Sequence, residues 1–238
     1  MNNFFAKTIC IFLLTALCSG KLQAQEAQNN PYVDERVVHF GFFVGLNSFS
    51  FNVQPYSNEA NGETFAMANA SLQPGFSVGV ITDLRLHRYW NLRFNPSLLF
   101  GERRLTYKAT NTGKSTYQDI LSVPICLPLY LKYSSERIGN YRPYLIAGVG
   151  MSYDLARNYE KPVLLRPVDF YVEFGVGCDF YFSFFKLAPE LKFALGFNDM
   201  ITPLNKRNSG FVSDADRKYT DLVDKMTSRI LTLSFNIE

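Results

Sequence analysis

Acidic and basic side chains recur at even intervals along this chain: Asp83 with Arg85, Asp169 with Glu173 and Asp179, and Glu190 with Lys192. Intervals of two, four and six place them on one face of an extended strand. Arg93, Arg103, Lys132 and Asp154 hold the same kind of position in other segments. Their signs are mixed, so the chemistry they best support is mutual ion pairing in a crowded interior. A relay of protons or ions along them is the alternative. Acid–base catalysis has little material to work with, because His39 and His87 are the whole supply of imidazole. Both are expected at the end of the molecule away from the outer leaflet, where a lipid-modifying enzyme would work. No P-loop, dinucleotide fingerprint or Cys/His metal spacing occurs, and neither a cofactor nor a metal is expected. Gly148 and Gly150, like Gly175 and Gly177, lie inside strand-like segments, where small residues relieve crowding in place of cradling phosphate.

The segments that must position these charges alternate with period two. In 169–180, Phe170, Val172, Phe174, Val176, Cys178 and Phe180 share one face, while Asp169, Glu173, Gly175, Gly177 and Asp179 share the other. One face suits lipid and the other a polar interior, the pattern of a transmembrane β-barrel strand. Seven further stretches read the same way: 38–51, 75–86, 89–107, 117–133, 141–155, 186–198 and 228–238. Pro96 lacks an N–H and predicts a bulge or a weakened pairing within its strand, and Pro124 and Pro128 weigh against theirs. Eight strands in an up-and-down antiparallel order make a closed barrel whose lumen side chains fill. A soluble calyx also alternates, but its polar face would be solvated, and glycine there would weaken strands without any packing gain.

Length and composition agree with a single barrel. The 238 residues are 47% hydrophobic, yet beyond the N-terminus no apolar run is long enough for a membrane helix. Residues 8–18 form a short apolar run after Lys7, the pattern of a secretory signal peptide. Cleavage is expected after Ala24, with Cys18-Ser19-Gly20 as the other small-residue site; Leu17 is too bulky for Cys18 to be a good acylation site. The chain therefore divides into a signal peptide at 1–24, a flexible lead-in at 25–37 and a barrel at 38–238. Losing 1–24 removes Lys7 and Lys21, leaving 22 basic against 21 acidic residues. Such a balance implies no nucleic-acid partner. Cys126 and Cys178 remain, on opposite faces by parity, and are expected as free thiols.

Short connections at 86–88, 134–140 and 182–185 alternate with long polar ones at 52–74, 108–116, 156–166 and 199–227. In outer-membrane barrels short turns face the periplasm and long loops face outside, which puts both termini in the periplasm. Aromatics gather at strand ends: Tyr89, Trp90, Tyr130, Tyr133, Tyr141, Phe182, Phe184 and Phe185 at the turn end, and Tyr107, Tyr117, Tyr153 and Tyr171 toward the loops. They are expected to form the two interfacial girdles. Ser213-Asp214-Ala215-Asp216, followed by Tyr219, Leu222, Val223, Lys225 and Met226, reads as a short amphipathic helix in the last loop.

Several stretches, in order, resemble the PorT family of outer-membrane type IX secretion system proteins from the Bacteroidota. They are residues 39–47, Asp83-Leu84-Arg85-Leu86, Asn91-Leu92-Arg93-Phe94 with Phe100-Gly101-Glu102-Arg103, residues 142–148, residues 172–177 with Asp179-Phe180-Tyr181, and Leu233-Ser234-Phe235. The departure is Ile125-Cys126-Leu127-Pro128, where the family leads one to expect a more acidic, less proline-rich strand. The resemblance implies an integral outer-membrane component needed to export folded cargo bearing a C-terminal sorting domain, and in some relatives for gliding motility. Its implied partners are outer-membrane lipid, other secretion-system subunits and cargo proteins. It brings no catalytic residues. With a filled lumen, a binding or scaffold subunit is the expected role; a barrel-embedded lipid-modifying enzyme and a small-solute channel are the alternatives.

Overall fold

A computed structural model describes residues 28–55, 65–71, 73–109, 115–156, 166–200 and 223–238. The expected signal peptide lies outside these residues, as do most of the long connections and the start of the expected loop helix. A 3-10 turn, Val33–Glu35, precedes eleven strand segments: β1 (Val38–Pro55), β2 (Phe65–Ser71), β3 (Gln73–Arg85), β4 (Trp90–Phe94), β5 (Ser97–Ala109), β6 (Ser115–Ser122), β7 (Pro124–Ser134), β8 (Tyr141–Asp154), β9 (Val168–Tyr181), β10 (Lys186–Gly196) and β11 (Val223–Ile237). No helix among the described residues is long and apolar enough to cross a membrane. Strands do the crossing.

The eleven segments form eight staves, because β2 with β3, β4 with β5, and β6 with β7 each continue one another along a single line. Pro96 interrupts the β4–β5 stave without adding a residue. Thr82 opposes Phe94 and Gly79 opposes Ser97, so the register carries through unchanged, and the same holds against β7, where Phe94 opposes Leu129 and Ser97 opposes Cys126. Pro96 thus weakens a pairing and creates no bulge; its carbonyl still accepts from Val80 N at 3.1 Å. Val123 marks a similar break between β6 and β7. Each stave pairs antiparallel with its sequence neighbours, and β1 pairs with both β3 and, from Phe42 onward, β11, which closes the barrel.

Two solvents enforce the alternation. Phe40, Phe42, Val44, Leu46, Phe76, Val80, Leu145, Phe174, Val176 and Leu191 all stand exposed on the outer face, while their neighbours in sequence point inward and are buried or half-buried. Glycines inside the lumen receive aromatic rings from the directly opposite residue. Tyr171 lies over Gly150, and Tyr144 over Gly177, whose added Cβ would stand 2.5 Å from the Tyr144 hydroxyl oxygen. Substituting Gly177 with Ala should therefore push the Tyr144 ring aside and lower folding stability by about 1–3 kcal/mol, read from a urea titration in micelles. Asn at this position should cost more, and an unchanged midpoint for both would mean the ring does not need the space.

Three sequence expectations change. β2 and the upper parts of β1, β5 and β6 extend the barrel into what reads as loop. Val223 and Met226, expected on a helix, lie in β11, where Met226 opposes Val53 of β1; the ladder to the lengthened first strand outweighs helical spacing. Tyr130 and Tyr171 are not girdle residues but buried lumen side chains, sharing parity with Lys132 and Glu173. Trp90, Tyr133, Tyr141, Tyr153, Phe182, Phe184 and Phe185 do stand exposed at strand ends, with Trp90 and Tyr133 rings 4.8 Å apart. Tyr89 stands there too, its hydroxyl held by Glu136 at 2.9 Å, which raises its pKa.

The ion-paired lumen as candidate functional site

Parity carries the charges inward, and strand register brings them level. Arg93 on β4 is fully buried at the centre of the turn-end half of the lumen. Its guanidinium reaches Asp83 on β3 at 2.7 Å, Glu238 after β11 at 2.9 Å and Glu190 on β10 at 3.2 Å. Asp83 also accepts from Asn91 Nδ2 at 2.5 Å. Lys132 on β7 pairs with Asp179 on β9 at 2.7 Å, Lys186 with Glu238 at 2.6 Å, and Lys192 with Glu190 at 3.2 Å. Four cations thus meet four carboxylates. Ion burial is costly, and the cost is offset only when each charge has close partners of opposite sign and further hydrogen bonds. Tyrosines supply these: Tyr144 OH donates to Glu190 at 2.6 Å, and Tyr130 OH donates to Glu173 at 2.6 Å. Lys132 Nζ sits 3.9 Å from the centre of the Tyr144 ring, a cation–π contact that ties the two pairs together.

A second polar group lies toward the loop end. Arg103 donates to Ser228 Oγ at 3.1 Å and stacks 4.8 Å over the Phe49 ring. Asp154 accepts from the Ser122 hydroxyl and from the backbone N–H groups of Val123 and Ala156, each at 3.0 Å, while Asp169 accepts from Asn198 N at 3.3 Å. Between the two groups lies an apolar cluster set among the buried polar side chains Ser77, Asn95 and Thr232. Phe49, Leu99, Cys126, Tyr171 and Ala194 form one buried cluster with Ile230 against it. Strand order fixes its level: Leu99 lies between Arg93 and Arg103, Tyr171 between Glu173 and Asp169, and Ile230 between Thr232 and Ser228. A cavity of about 20 Å³ beside it is room for about one water, not a path.

Of the sequence-derived charges, Asp83, Arg93, Lys132, Asp179, Glu190 and Lys192 join one network. Glu173 is held by a tyrosine, Arg103, Asp154 and Asp169 belong to the loop-end group, and Arg85 is half-buried at the rim, making no ion pair among the described residues. Sequence reasoning missed Lys186 and Glu238 as network members. Their parity with Glu190 and with Asn236 was the available signal. His39 lies at the rim, its Nε2 2.7 Å from Val33 O, and His87 is exposed in the β3–β4 turn. Cys126 and Cys178 are free thiols. No group of metal-ligating side chains occurs among the described residues.

The turn end is partly covered by residues 29–35 of the lead-in. Asn29 N donates to Asn140 Oδ1 at 2.8 Å, Asn29 Nδ2 donates to Tyr181 O at 3.0 Å, and Arg137 donates to the carbonyls of Asn29 and Asn30. Asp34 accepts from Tyr181 OH at 2.7 Å and lies 3.5 Å from Arg142. A segment that reads as aperiodic is thus strapped to the barrel by polar contacts, none of which needs periodicity.

Eight antiparallel staves closed round a paired polar lumen, with phenylalanine, valine and leucine facing out, define a membrane-spanning β-barrel of the outer-membrane type. Residues 23–202 match the outer membrane protein beta-barrel domain family, and the chain belongs to that family, an integral component of the outer membrane. Two solved structures are similar in fold. The crystal structure of Neisserial surface protein A (NspA) is 10% identical, covers 85% of this chain and 99% of its own, and superposes with a TM-score of 0.42. The outer membrane protein OprG from Pseudomonas aeruginosa is 11% identical, covers 84% and 91%, and gives a TM-score of 0.41. No curated protein matches the chain.

Proposed function

We propose that this barrel is an outer-membrane subunit of the type IX secretion machinery that binds or scaffolds other components and does not itself conduct. The observation that carries the non-conducting part is the lumen: four buried cations each bonded to carboxylates at one end, and a layer of close-packed buried side chains beyond them. About eight strands leave an interior only wide enough for side chains, so a folded cargo has no route through it. The ordered similarity to the secretion family supports the rest. With both barrel ends of the chain on the turn side, the strap and the short turns would face periplasmic partners, and the long connections would face outward. His39 sits at the rim of the lumen, opposite Asp83, and His87 is exposed in a turn, so neither stands on the lipid-facing belt, which disfavours a lipid enzyme using an imidazole base.

Deleting the gene should cause cargo with C-terminal sorting domains to accumulate in the periplasm. Purified protein in planar bilayers should show no steady open channel. Normal export in the deletion strain would remove the secretion role, and a large stable conductance would remove the sealed lumen, so the two halves of the proposal fail separately.

A further inference from the structure

The β4–β5 stave is one ladder bond short toward each of its neighbours. Val80 N donates to Pro96 O at 3.1 Å and Asn95 N donates to Pro128 O at 3.4 Å, but neither proline has an N–H to return. Asn95 and Pro96 are adjacent, so both shortages fall at one level of the wall.

Side chains at that level also lack partners. Asn95 and Ser77 are each 1% exposed. Among the described residues, neither Nδ2 nor Oδ1 of Asn95 has a hydrogen-bond partner, and Ser77 Oγ has none. Both residues line the cavity of about 20 Å³ in the middle of the lumen. Buried amides and hydroxyls are costly to leave dry, and protein interiors pair them with other groups or with ordered water.

Volume and charge select the occupant. A cavity of this size holds about one water and nothing larger. A metal cation would stand near the Lys192 ammonium and an anion near the Glu173 carboxylate, since both side chains line the cavity. A neutral molecule meets neither repulsion. It has to donate as well as accept, because the Asn95 amide presents a donor end and an acceptor end while the Ser77 hydroxyl serves as either.

We propose that one ordered water occupies this cavity and bridges the Asn95 amide on the β4–β5 stave to the Ser77 hydroxyl on β3. It restores a link between these two staves at the level where Pro96 removes one. This site is independent of the secretion role.

A high-resolution crystal structure of the full chain should show a single water within about 2.7–3.2 Å of both the Asn95 amide and Ser77 Oγ. A dry cavity, or a direct bond between the two side chains, overturns the proposal. Urea titration in micelles gives a second, separate reading. Ser77→Ala removes only the hydroxyl and should lower the folding equilibrium constant about fivefold. In an Asn95→Leu background the same change should have little effect, because the bridge is already gone. A hydroxyl without a bridge gives the other result: its removal leaves the constant unchanged or raises it. Either that result, or an equal loss in both backgrounds, also overturns the proposal.

Discussion

Replacing Arg93 with Met should lower folding stability by about 3–5 kcal/mol, the cost of leaving buried charges without their partner. Three carboxylates converge on this guanidinium, but they are not equally exposed to its loss. Glu190 keeps Lys192 and Glu238 keeps Lys186, whereas Asp83 keeps the hydrogen bond from the Asn91 amide and no ion pair among the described residues. Adding Asp83→Asn to Arg93→Met should therefore recover part of the loss, because it removes the charge left most isolated. Arg93→Lys should fall between, since an ammonium cannot reach three carboxylates through a planar fork. Urea titration in micelles, followed by the shift between heated and unheated bands, measures all four proteins. Equal midpoints for the parent and Arg93→Met would show that the network contributes nothing to holding the barrel closed.

The second large effect is expected on the other face. Val176→Arg should cost about 2–4 kcal/mol, because a guanidinium near the bilayer midplane has no water to reach. Val176 lies well inside β9, flanked by Leu145 and Leu191 on the adjacent staves, and is 53% exposed. Nothing beside it offers a counter-charge. The same substitution at Phe184, on the rim, should cost no more than about 1 kcal/mol. A barrel that tolerated arginine equally at both positions would not be facing lipid at Val176.

Much of this was legible because the two faces of each stave meet different solvents, and a period of two survives wherever that contrast does. The bounds 141–155 and 169–180 differ from β8 and β9 by a residue at one end or both. Above the hydrocarbon the contrast fades. Phe65-Ala66-Met67-Ala68-Asn69-Ala70-Ser71 carries no alternation of large apolar with polar residues, and β2 was invisible for that reason. The candidate site was legible one member at a time, since parity decides whether Arg93 or Glu190 points inward. Which charges meet depends on register between staves far apart in sequence, and that no single segment contains. Tyr130 and Tyr171 were misplaced by residue type: aromatics at strand ends suggest a girdle, but their parity already pointed to the lumen.

The closing seam sets an order of events. β1 and β11 pair from Phe42 with Ile237 through to Pro55 with Val223, so the first strand made waits for the last. Until then the first strand and whichever strand was made last each present an open row of backbone donors and acceptors, which hydrocarbon does not tolerate. Insertion stave by stave is thereby disfavoured, and the nascent barrel has to be kept off the bilayer, or shielded at its rim, until its final residues arrive. A few residues lost from that final stretch would cost the whole enclosure, whereas the same number lost from a long connection would cost only the connection.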